Sequence, residues 1–160
     1  MLDAMKALIY MAVILMALRV ANASTDPFTE LSPKQKALVK PVIERYVHDQ
    51  ITENWGDLWE ISDQTPDLKN ELLSGNRNAP DMTKEQFVSA MRETIGTGLP
   101  RLHSFDLLQV KVDQGNLTMV GCGYATREGW KKKGLVIAGI KIVNGRAKMD
   151  IFAMTSDTCP

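Results

Sequence analysis

The chain has 160 residues, 44% hydrophobic and 24% charged, with 19 basic and 19 acidic side chains. That length holds one domain around one core. A formal net charge of zero leaves no global field to hold nucleic acid, and this argues against such a partner.

Ala7–Leu18 is an apolar run ended by Arg19. It is shorter than the ~20 residues a spanning helix needs. Lys6 lies in front of it, and Ala21-Asn22-Ala23 offers a small-x-small cleavage site. The pattern predicts a cleaved secretory signal over 1–23, a short mature arm over 24–31 and one domain over 32–160. The protein is then exported, periplasmic or secreted. If the segment is retained instead, it is a membrane anchor. Cleavage removes Asp3, Lys6 and Arg19, which leaves a mature charge near −1.

Ser32-Pro33 with Gln35 reads as a capped helix start. Val39, Ile43, Val47, Ile51 and Trp55, widened by Leu38, Val42 and Tyr46, form its apolar stripe. Pro41 interrupts the segment, giving either two helices or one kinked helix. Short helical pieces follow around Leu58–Ile61 and after Thr65-Pro66-Asp67. "GNRNAP" is a loop. Thr83 with Gln86 repeats the capping signal before the stripe Phe87, Val88, Met91, Ile95.

After Arg101 the period changes to that of strands. Leu102–Val112, Leu117–Arg127, Leu135–Val143 and Arg146–Met154 read as four strands, with "EGWKKKG" as a connection. Asn144-Gly145 is a two-residue hairpin turn, so Val143 should oppose Arg146 and the register should run outward from there. One face of this hairpin, Val136 to Ala153, is wholly apolar and should meet the helices. The other carries Leu135, Ile137, Val143, Phe152 and Met154 among Lys141, Arg146, Lys148 and Asp150. Such a face suits a homodimer, or cover by loops or the C-terminal tail. Helices first and strands afterwards give an α+β fold with the helices on the concave face of a curved antiparallel sheet of four or more strands.

In this order the pieces "ITENWGDLWEI", "TKEQFVSAMRE", "LLQVKV", "LTMVGCGYAT", "GLVIAGIKIV" and "AKMDIFAMT" resemble the nuclear transport factor 2-like superfamily of cone-shaped domains, especially small exported members of unassigned function. The resemblance implies a sheet wrapped round helices. It does not select a function, because the superfamily holds isomerases, dehydratases, ligand binders and secretion-system scaffolds.

The two cysteines, Cys122 and Cys159, are expected to pair in an exported chain. His48 falls outside the buried stripe. Asp150, His103 and Tyr124 are the acid–base pool for a pocket isomerase, dehydratase or hydrolase. Tyr46, Trp55, Trp59, Phe105 and Tyr124 could line an apolar pocket or form plain core. Leu135, Ile137, Lys141, Val143, Lys148, Asp150 and Phe152 are the interface candidates. Trp130 with Lys131, Lys132 and Lys133 could touch a membrane surface or an acidic partner, or form a solvated turn. No metal or cofactor is expected. The preferred function is a non-catalytic exported domain binding a small apolar ligand or a protein partner. The alternatives are the pocket enzyme and a membrane-anchored secretion-system subunit.

Overall fold

The computed structural model describes residues 26–63, 82–155 and 158–159. The segment expected to be a signal, the helix expected after Thr65 and the side chain of Phe152 lie outside the described residues. Three helices precede four strands: α1 (Pro33–Thr52), α2 (Trp55–Ile61), α3 (Lys84–Thr94), β1 (Arg101–Asp113), β2 (Asn116–Arg127), β3 (Trp130–Val143) and β4 (Arg146–Met154). The strands form one antiparallel sheet in the order β1-β2-β3-β4. The fold is α+β.

Both capping boxes form. Ser32 accepts from the Gln35 N–H while the Gln35 side chain accepts from the Ser32 N–H, and Thr83 and Gln86 do the same for α3. α1 runs through Pro41 as one helix. Its buried side chains are Val39, Ile43, Tyr46, Asp49 and Gln50. The four-residue stripe rotates by about 40° per step on a helix of 3.6 residues per turn. Ile51 has therefore drifted to 37% exposure, and Asp49 and Gln50 take the buried positions at the helix end.

The helices cover one face of the sheet. Val39, Ile43, Tyr46, Trp55, Leu58, Phe87 and Met91 pack there against Val110, Leu117, Met119, Ala138, Ile140, Ala147 and Met149. A second cluster, Leu102, Ala125 and Val136, has Trp130 and Met154 packed on it, and Phe105 belongs to both clusters.

The Asn144-Gly145 turn sets the expected pairs Val143↔Arg146, Ile142↔Ala147, Lys141↔Lys148 and Ile140↔Met149. Beyond these the expectation fails. Next to Gly139, β4 carries one extra residue, so Ala138 opposes Phe152 and Val136 opposes Met154. A bulge of this kind inverts every later side chain of the strand. Met154 accordingly packs on Val136 in the second cluster, on the helix-covered side. This corrects the apolar outer face, because Met154 leaves it.

Two pieces of chain close the sheet edges. On β1, the Pro27 carbonyl accepts from the Val110 N–H at 2.8 Å, and the Glu30 carboxylate accepts from the Val112 N–H at 2.9 Å and from the Gln109 side chain. On β4, Ser62 bridges Met149 in parallel, and the Asp63 N–H donates to the Met149 carbonyl at 2.6 Å. Cys122 and Cys159 are joined, with a Cα–Cα distance of 5.6 Å, which ties the tail to the outer face of β2.

Candidate functional site

The arm 26–31, α1 and β1 enclose a groove of about 580 Å³. Its walls are Pro27, Phe28, Ile43, Val47, Phe105 and Leu107, and Asp26, Lys36, Lys40 and Glu44 stand at the mouth. The arm is one wall. It is held by the Val110 and Val112 bonds to β1 and by the Lys36–Asp26 ion pair at 2.6 Å. The Lys36 ammonium also lies 5.6 Å from the Phe28 ring centroid. The hydrogen bond from Lys36, helped by the Phe28 N–H, holds the Asp26 carboxyl below its ordinary range. Across the mouth, Lys40 and Glu44 form a loose i,i+4 pair at 3.7 Å. Such exposed pairs are worth only a few tenths of a kcal/mol, so these side chains can turn to a ligand at little cost.

Phe105 is set by a residue that does not itself line the groove. A Cβ on Gly121 would lie 2.1 Å from the Phe105 ring. Gly121 stands directly opposite Leu107, next to the β1 irregularity. With no side chain there, the Phe105 ring packs closely over Gly121 of β2 and lines the groove. A glycine inside a strand run was the available signal for this close approach.

The remaining pocket candidates lie elsewhere. Tyr46 and Trp55 are core, and the Tyr46 hydroxyl donates to the Asp150 carbonyl at 3.1 Å. Trp59 is half-buried, with its ring 5.3 Å from Phe87. Tyr124 is exposed at 38% on the outer face. There its ring lies 5.4 Å from that of His103, and His103 Nε2 is 2.7 Å from Thr126 Oγ1. Only Phe105 of the five lines the groove.

The acid–base pool is not brought together. His103 and Tyr124 share one end of the outer face. Asp150 stands beside Gly139, which is six residues along β3 from Lys133, the partner of Tyr124. That is roughly 20 Å at the rise of a strand. The Asp150 carboxylate is 3.8 Å from the Lys141 ammonium, which also pairs with Asp63 at 2.5 Å.

Of the interface candidates, Leu135 is buried and Ile137 half-buried. Lys148 donates to the Glu60 carbonyl, and Lys141 is spent on Asp63. Val143 remains open at 49% exposure. Lys141, Lys148 and Asp150 are engaged within the chain, with Asp63 and the Glu60 carbonyl reaching the two lysines along the β4 edge. This leaves fewer free charges on the face than the expected homodimer contact would use.

Sequence reasoning passed over Asp49. It is 2% exposed, and burial raises its carboxyl above the ordinary range. Arg45 Nε lies 3.5 Å away, and that cation also reaches Asp57 at 3.7 Å. His48 beside it is exposed, as its place off the stripe implies. Asp49 does not line the groove and stands alone as a buried acid among the described residues.

Among the described residues, no group of three or more His, Cys, Asp or Glu side chains could hold a metal ion, and no helix is long and apolar enough to cross a membrane. No family model, curated protein or solved structure matches the chain.

Proposed function

We propose that this chain is a non-catalytic, exported binding domain that takes a small apolar ligand in the groove between the arm, α1 and β1. The observation that carries the reading is the groove itself: about 580 Å³, lined by six apolar residues together with Asp26, Lys36, Lys40 and Glu44. Ligand sites commonly have this size and distribution of polarity. The scattered positions of Asp150, His103 and Tyr124 weigh against a pocket enzyme built from those three residues.

Export is part of the proposal. The Cys122–Cys159 disulfide is compatible with an oxidising compartment. The order of three helices followed by a four-stranded antiparallel sheet is compatible with the nuclear transport factor 2-like superfamily, which we retain as the proposed relationship.

Titration with an apolar naphthalene dye tests the reading. Saturable binding is expected, with at least about a tenfold loss in Val47→Trp, because the indole fills the space between α1 and β1. No saturable binding, or equal binding by the variant, would refute it.

A further inference from the structure

We propose that residues 130–134 of β3 form a docking edge for an extended acidic peptide, independent of the groove. β2 pairs with β3 from Trp130 to Ile140, whereas β4 covers only Val136–Val143 on the other side. At Leu135 the carbonyl still accepts from the Thr155 N–H at 2.9 Å. Before that point no strand pairs with the outer side of β3 among the described residues.

Among its described residues, the tail does not cover this stretch. Continued residue for residue, β4 would bring Cys159 opposite Lys131. The disulfide places Cys159 against Cys122 instead, and Cys122 stands opposite Leu135 one strand further in. The cross-link thus holds Cys159 off the edge and against the outer face of β2.

An open edge presents unpaired backbone donors and acceptors to any extended chain. Its charge decides which one. Arg127, Lys131, Lys132 and Lys133 surround it with Glu128 as the one acid between Arg127 and Lys133. Among the described residues, no carboxylate lies within 4 Å of any of the three lysines. Two copies meeting antiparallel at this edge would set lysine against lysine, which is unfavourable. A strand with acids at alternate positions would set them beside Lys131 and Lys133 on one face. The same charges reject the chain's own copy and select an acidic partner. Backbone pairing supplies affinity in this mode of recognition and side chains supply choice.

Trp130 separates this partner from a membrane. Its ring packs on the Leu102, Ala125 and Val136 cluster and lies 5.8 Å from the Arg127 guanidinium. Half-buried against this cluster, it does not stand out from the surface as a lipid wedge would.

The test is fluorescence anisotropy on the disulfide-bonded chain at low ionic strength, with a labelled hexapeptide of alternating threonine and glutamate. Saturable binding is expected. It should fall about tenfold or more in Lys131→Glu/Lys133→Glu, and about as much when a central threonine of the peptide is replaced by proline, which removes a backbone donor. Lys131→Gln/Lys133→Gln should give an intermediate loss, and far-UV circular dichroism should be unchanged in both variants. Equal binding of the proline peptide would overturn strand addition, leaving charge alone. Equal binding by the glutamate variant, or no saturable binding, would overturn the site. Binding to phosphatidylglycerol vesicles that the same variants abolish, without peptide binding, would replace it with a lipid surface.

Discussion

Other pieces of the chain bind the edges of β1 and β4, whereas among the described residues no strand pairs with the outer side of the first residues of β3. On β1 the arm supplies a carbonyl and a carboxylate to the Val110 and Val112 N–H groups. On β4 Ser62 and Asp63 pair with Met149, and Asp63 goes on to neutralise Lys141. The stretch from Trp130 to Lys133 has three lysines instead. Backbone groups buried at an edge need partners, whereas groups left in water need only protection from the wrong partner. Short pieces of chain do the first, and like charge does the second. The arm does more than close its edge, because its inner side is also a wall of the groove.

The largest effect is expected at the cross-link that separates the tail from the β3 edge. Closing a separation of 37 residues is worth roughly 4 kcal/mol in the loop-entropy account. Cys122→Ser/Cys159→Ser should lose about that much in urea unfolding. An unchanged midpoint would show that the tail is held by other contacts.

Gly121→Val attacks the groove from below. Overpacking of this kind costs about 1–3 kcal/mol, and the displaced Phe105 ring should abolish dye binding. A variant with native affinity would show that Phe105 does not set the groove floor.

Glu30→Ala sharpens the role of the arm at β1. It removes the acceptor for the Val112 N–H and the Gln109 amide. About 1 kcal/mol should be lost, together with slower-exchange protection of the Val112 amide. The Met149 carbonyl region on β4 should be unaffected. Changes at both edges would mean that the two closures are coupled.

The smallest expected effect is at Asp49. Its folded pKa is raised by burial, so the folded state binds more protons than the unfolded state between the ordinary and the raised values. Stability should therefore fall as pH rises through that window. Asp49→Asn should flatten this slope and raise the melting temperature by a few degrees near neutral pH, with no gain in acid. A variant less stable at every pH would mean that the Arg45 contact outweighs the burial.

Local rules were legible where a few neighbouring residues settle the outcome. Ser32/Gln35 and Thr83/Gln86 start helices, and Asn144-Gly145 fixes the first four pairs of the last hairpin. The bulge opposite Gly139 was not legible, because no residue near Asp150 announces it; the β4 edge must also accommodate Ser62. Lys131–Lys133 read as a connection because their composition is that of a loop. In fact β3 begins at Trp130, and the lysines protect a strand edge. The groove was visible only through Phe105. Its arm wall depends on contacts between residues 27–30 and 109–112, about eighty residues apart in the chain, and no local pattern encodes such a meeting.

The most direct test of the binding function is a two-dimensional NMR titration of the disulfide-bonded protein with the naphthalene dye. The account predicts saturable shifts concentrated at Phe28, Ile43, Val47, Phe105 and Leu107, with the outer-face residues His103 and Tyr124 unmoved. Shifts centred on His103 and Tyr124, or no saturable shifts, would contradict it.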